Sequence, residues 1–440
     1  MKKHVATVCL VAATVAATAA QERDKPTTGI PHQDHVFVIV MENHGYQQII
    51  GNPNEPFLNS LIARGKVSLA RNYFAVGHPS LTNYLEIVGG SNFGVRSDNP
   101  PNWGSTTCTP NIQSGLVNAD ADAPPPPGVL IETDAICPIA GIGTDSATPA
   151  VDTWNETTPG VFNYLADLDG IESVPAAHTV GETIADQLVR VGKSWKSYQE
   201  SLSLGSPFGV NYSNGTATNL TDFSTLAPLT SADVVQAYAV KHNPFAYFKN
   251  VQDGGWNDNS LKNVVGFDGP RGFYADLASG DVPNFAFVVP NQCNDQHGRG
   301  NGDAFCAFDP GLPPGDVTTG TQAGLNPGLI QQGDSTIERL VLAIHASPAW
   351  HEGRSAIVIV WDENDYSGLL NATTGLFPRQ NQNTVVLTVE TNSPNFTAAS
   401  SNTYYTSFSL LKSLEAAFEL PCLNHACDAG VSAMTDLFGR

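Results

Sequence analysis

The chain is short of positive charge: 21 Lys and Arg stand against 42 Asp and Glu, for a formal net charge of −21. The few cations are scattered, whereas a protein that tracks a polyanion needs them clustered. No nucleic-acid partner is therefore expected. Beyond residue 20 there is no apolar run long enough to span a bilayer, so no stable membrane insertion is expected. The cysteines lack zinc-finger spacing, and the sequence shows no internal repeat.

The amino-terminal residues set an expected compartment. Lys2 and Lys3 precede an uncharged stretch from Val5 to Ala20, rich in Ala and Val, that ends in Ala17-Thr18-Ala19-Ala20. This pattern reads as a signal peptide over 1–20, and it implies a secreted or extracellular protein, periplasmic in a Gram-negative host. Cys9 would leave with it, so Cys108, Cys137, Cys293, Cys306, Cys422 and Cys427 remain as an even set suited to disulfides. Pairing of sequence neighbours (108 with 137, 293 with 306, 422 with 427) is the simplest of many connectivities. Asn155, Asn211, Asn214, Asn219, Asn371 and Asn395 open Asn-x-Ser/Thr acceptors, which in a eukaryotic host would make a glycoprotein and mark surface loops.

Residues 34–40, 285–289, 356–361 and 384–389 are short β-branched or aromatic runs of the kind buried parallel strands use. Helical spacing marks 56–63, 184–191 and 335–345, and a further helix is expected near 81–88 with Gly89-Gly90 ending it. Alternating strands and helices predict an α/β fold, a layered and mostly parallel sheet flanked by helices. The informative positions spread from Glu42 to Glu363, which favours one domain over 21–440 with Pro/Gly-rich insertions near 98–155 and 200–230.

In open α/β sheets ligands bind beyond the carboxyl ends of the strands. Three polar groups stand there: Glu42-Asn43-His44, the segment from Asn291 to His297, and Asp362-Glu363. Together Glu42, Asp295, His297, Asp362 and Glu363 offer hard oxygen and imidazole donors without cysteine, a set suited to a divalent metal ion, while each alone could equally cap a helix or pair locally. The segment from Gly77 to Leu85 adds Ser80 at the start of a helix, where free N–H groups favour phosphate. Ser80 reads either as a nucleophile or as an N-cap.

Val40-Met41-Glu42-Asn43-His44, Gly77-His78-Pro79-Ser80 through Gly90, Lys241-His242-Asn243-Pro244-Phe245, Pro290-Asn291 with Asp295 and His297, and Trp361-Asp362-Glu363 occur in one consistent order. In these motifs, over roughly residues 34 to 420, the chain resembles the bacterial and fungal phosphoesterase family of acid phosphatases and phospholipases C, within the alkaline-phosphatase superfamily. The resemblance implies a metal-dependent phosphoric-ester hydrolase. Glu42, Asn43, Ser80, Asp362 and Glu363 would bind the metal, and Ser80 would also be the nucleophile. His78 and His297 would contact phosphate or move protons, and Asp295 would orient His297 or add a ligand. A folding role is expected for His242.

The leading expectation is an acid-phosphatase-type phosphomonoesterase acting on a phosphate-ester small molecule or a lipid head group. A phospholipase C-type phosphodiesterase and a non-catalytic exported binding protein are the alternatives. One departure stands out. Family members usually carry His two residues before the Ser-Leu-Leu of 409–411, and this chain has Ser407 there. His425 is the nearest downstream imidazole that could replace it.

Overall fold

In a computed structural model the described residues are 29–77, 79–95, 98–102, 135–143, 179–202, 207–211, 213, 216–217, 234–235, 237–254, 258–298, 327–364 and 383–439. The signal-peptide reading, His78, Cys108, Cys306 and most of both expected insertions lie outside them.

Eight strands form one sheet: β1 His35–Met41, β2 Ser68–Ala70, β3 Trp195–Gln199, β4 Val264–Val265, β5 Phe285–Val289, β6 Ser355–Trp361, β7 Leu387–Thr391 and β8 Ser400–Ser401. Their spatial order is β8-β2-β7-β6-β1-β5-β3-β4. Pairings are parallel except those of β7, which runs antiparallel to both β6 and β2. The sheet is thus mixed and mostly parallel, as the sequence predicts.

β1 lies between β5 and β6, and from Val36 to Met41 its residues are fully buried. A strand covered on both faces has no solvent side on which to alternate polar residues, so it reads as one apolar run. The expected strand at 384–389 begins later, at Leu387, because Thr384 and Val385 make isolated bridges to Phe74 and Gly45. β3, Trp-Lys-Ser-Tyr-Gln, escapes the sequence reading: its Lys196 and Tyr198 reach Asp276 and its Gln199 reaches Ser197.

The helix Pro56–Ala63 packs on the helix Pro327–His345, which starts earlier than the predicted 335. The helix Ser80–Gly89 is buried throughout and packs on the helix Ser407–Ala417. Gly90 ends it in the left-handed region, φ +69°, where a Cβ would come within 2.6 Å of the Leu423 carbonyl oxygen.

Cys422 and Cys427 form the expected disulfide, and Cys137 and Cys293 are each disulfide-bonded. Asn395 is exposed, but Asn211 is buried and exchanges side-chain hydrogen bonds with Gln252. The expectation that every acceptor asparagine marks a surface loop therefore fails at Asn211. No helix among the described residues is long and apolar enough to cross a membrane.

Candidate active site

The register of the two central strands builds the site. Met41 pairs with Trp361 at the parallel β1–β6 boundary, so Glu42 and Asp362 leave the sheet side by side. β5 flanks β1 on its other side and delivers the segment 291–298 to the same edge. Backbone bonds extend the contact beyond the strands, with Asp362 N donating to Met41 O and Glu42 N to Asp295 O. Asn43 then turns the chain with φ +47°, a left-handed conformation that asparagine tolerates better than most residues.

The helix Ser80–Gly89 points its first residue into this group. Pro79 is the N-cap, so Ser80 is the first helical residue and is not the capping side chain. Its Oγ lies 3.2 Å from Glu42 Oε2 and 3.1 Å from Glu363 Oε1. One terminal atom of the Asn43 amide lies 3.1 Å from each of the same two carboxylate oxygens. Asp362 accepts from Asn43 N through Oδ1 at 3.2 Å, while its Oδ2 is buried without a hydrogen-bond partner among the described residues.

This crowding of oxygens tests the site for a cation. Ser80 carries one hydroxyl proton and has two carboxylate oxygens in reach, so a proton satisfies at most one of the two contacts. Burying an ionised carboxylate costs several kcal/mol, roughly, even after relaxation, and Glu42, Asp362 and Glu363 are 0, 1 and 4% exposed. Adjacent ligands of an octahedral divalent ion at about 2.1 Å stand roughly 3 Å apart, which matches the 3.1–3.2 Å spacings. The donors are hard oxygens. The residues present fit a divalent metal ion.

The sequence reading missed three members. His242, expected to serve folding, is 1% exposed and stands between carboxylates, with Nε2 3.1 Å from Glu42 Oε1 and Nδ1 3.5 Å from Asp295 Oδ2. Glu42, His242 and Asp295 offer ligand atoms within 4.8 Å of one another, a second grouping that could hold a metal. Tyr84 stacks on His242 at 5.2 Å and donates to Glu42 Oε1 at 2.5 Å. Lys241 brings a cation, with Nζ 2.8 Å from Asp98 Oδ2 and 3.4 Å from both Ser80 Oγ and His297 Nε2. The motif Lys241 to Phe245 was the available signal, but only its 3₁₀ turns aim these side chains inward.

Asp295 meets His297 through the backbone: Oδ1 accepts from His297 N at 2.8 Å. The His297 ring fixes Nδ1 against Gly298 O at 2.7 Å, which leaves Nε2 toward Lys241. His44 sets Nδ1 3.0 Å from the Glu42 carbonyl oxygen. At the position where His is usual, Ser407 accepts from Tyr73 OH at 3.4 Å. His425, the expected substitute, bonds Asp428 at 2.7 Å and packs on Phe408.

Burial first, and mutual repulsion second, push the Glu42 carboxyl well above the usual carboxylate range. Burial likewise raises Asp295 and Asp362, the latter further by Glu363 beside it. Burial works against the Lys241 charge, yet Asp98, Glu42 and Glu363 outweigh it and hold the ammonium above the ordinary lysine value. A carboxylate whose folded pKa is raised favours folding fully below about pH 4 and loses that contribution as pH rises through the raised value. A bound divalent cation opposes the loss. The melting-temperature gap between metal-replete and chelated protein should therefore widen from about pH 4 to about pH 8. A gap that stayed constant in thermal scans would count against this cluster as the cation site.

A mostly parallel sheet thus sets a helix-borne hydroxyl among desolvated carboxylates, beyond the ends of its central strands. The model of the Phosphoesterase family matches residues 53–306, more than half of the chain. The chain belongs to that family. The matched segment contains Ser80, Lys241, His242, Asp295 and His297.

Among curated relatives, a phosphatidylinositol-3-phosphatase of Mycobacterium tuberculosis is 38% identical over 92 residues, 21% of this chain and 29% of that protein. An acid phosphatase of Aspergillus fumigatus is 23% identical over 315 residues, 68% of this chain and 48% of that protein. The chain thus spans less than half the length of these relatives. A solved Vibrio parahaemolyticus protein of the alkaline phosphatase superfamily aligns with TM-score 0.42 and 11% identity over 91% of this chain and 72% of that one.

Proposed function

We propose that the protein hydrolyses phosphoric esters, phosphomonoesters foremost, with Ser80 as nucleophile and a divalent cation held by Glu42, Asn43, Ser80, Asp362 and Glu363. The observation that carries this reading is Ser80 Oγ, held within 3.2 Å of two buried carboxylates at the start of a buried helix. When bound, the cation would supply Lewis acidity and lower the pKa of the hydroxyl.

Glu42 or Glu363 accepts the Ser80 proton as Oγ bonds to phosphorus and the ester P–O bond breaks. His297, its Nδ1 tied to Gly298 O, passes a proton from Nε2 to the departing alkoxide. Water then gives a proton to His297 as it attacks the phosphoserine, the Oγ–P bond breaks to release phosphate, and Ser80 regains its proton from Glu42 or Glu363. Asp295 keeps the His297 backbone in place. His242 bridges Glu42 and Asp295 and disperses their charge.

Substrates on this reading are small phosphate esters or the phosphorylated head groups of lipids. Export by residues 1–20 and a single domain over 21–440 belong to the same proposal. The test is turnover of p-nitrophenyl phosphate against p-nitrophenylphosphorylcholine, before chelation, after it, and after metal return. Monoester hydrolysis that is lost with the metal and returns with it is the expected result. Unchanged turnover after exhaustive chelation overturns the metal assignment, a preference for the choline ester favours phospholipase C-type chemistry, and inertness of the metal-loaded protein toward both esters favours a binding protein.

A further inference from the structure

We propose that Lys241 is a catalytic residue whose ammonium binds a non-bridging phosphoryl oxygen as Ser80 attacks, and that this makes the centre select dianionic phosphomonoesters over monoanionic diesters. The inference rests on the phosphoryl-transfer reading above and names the substrate class of that site.

The geometry is that of a tethered cation. Nζ lies 3.4 Å from Ser80 Oγ, the atom that would bond to phosphorus, so oxygens of a phosphoryl group on Oγ fall within its reach. The same Nζ lies 3.4 Å from His297 Nε2, which places it between the nucleophile and the proton carrier. Asp98 fixes it from behind at 2.8 Å, and the lysine side chain is 14% exposed, so water screens it little. Asp98 also accepts from Leu81 N at 3.1 Å, which locks the lysine to the first turn of the helix that carries Ser80. A compact point charge held this way needs no reorganisation at the moment of reaction.

Charge explains the selectivity. Glu42, Asp295, Asp362 and Glu363 repel any anionic substrate, and they repel a dianion more than a monoanion. A fixed ammonium at the phosphoryl oxygens favours the dianion for the same Coulombic reason. A diester offers one fewer unit of negative charge, so it gains less from Lys241.

The experiment compares metal-replete wild type with Lys241→Met on p-nitrophenyl phosphate and bis(p-nitrophenyl) phosphate. The monoester kcat/KM should fall about 10²- to 10³-fold, the scale of losing one preorganised donor at a developing charge, and the diester value by less than about tenfold. Lys241→Gln gives the same reading with a polar end should the methionine variant not fold. Adding propylammonium to Lys241→Ala should restore monoester turnover saturably, which no purely structural role produces. Equal losses on both esters, no loss, or no rescue would overturn the proposal. If instead wild type turns over neither ester, or Ser80→Ala remains active, the underlying phosphoryl-transfer reading fails and not the lysine assignment.

Discussion

Replacing Ser80 by alanine should abolish nearly all phosphomonoester turnover while the fold persists. Loss of a nucleophile that acts with its partners as a unit costs about 10³- to 10⁶-fold in rate. The structural cost is small because Ser80 is the first residue of its helix and Pro79 is the cap, so no capping bond is lost and alanine is the best helix former. Stability should shift by no more than about 1 kcal/mol. Single-turnover kinetics with a rapid acid quench would show phosphoserine in wild type and none in the variant. If the variant kept a rate within about tenfold of wild type, the attacking group would be water and Ser80 a bystander.

Asp362→Asn should lower divalent-cation affinity on the order of 10²-fold or more, since changes in groups merely supporting a ligand cost 10–100-fold. The same variant should be more stable than wild type when both are chelated, by about 1–3 kcal/mol. Its Oδ1 can still accept from Asn43 N, while the charge that helps raise the Glu42 pKa is gone. These opposite signs separate a cation ligand from an ordinary structural carboxylate. Calorimetric metal titration and thermal unfolding in chelator measure the two halves. A chelated variant less stable than wild type would assign Asp362 to local hydrogen bonding instead.

The frame of this site was legible in the sequence because buried parallel strands cannot hide their pattern. Phe285–Val289 was readable to the residue, and the run ending at Trp361 located Asp362 and Glu363. Trp195–Gln199 was not, since its polar side chains are satisfied by Asp276 and by residues of its own strand, contacts that no periodicity encodes. Lys241 and His242 were visible as a motif but not as site residues. Their direction depends on two consecutive 3₁₀ turns and on stacking against Tyr84, a ring contributed from some 160 positions earlier in the chain. Ser80 read equally well as a cap, and in the structure Pro79 holds the cap position. The reading of His425 drew on its proximity along the chain to Ser407; in the structure its ring meets Asp428 and Phe408.

The in-register ends of β1 and β6 join residues that are synthesised far apart. Asp362 is made 320 positions after Glu42, and Met41 finds its neighbour Trp361 only when the last quarter of the chain has emerged. Until then Glu42 and Asn43 have β5 beside them but not β6, and Ser80 has only one of its two carboxylates. The growing chain therefore passes most of its synthesis without a finished centre. Asp362 and Glu363 arrive in one late step, together with closure of the middle of the sheet, so a chain truncated before β6 keeps Ser80 and Glu42 but not the second carboxylate at the hydroxyl.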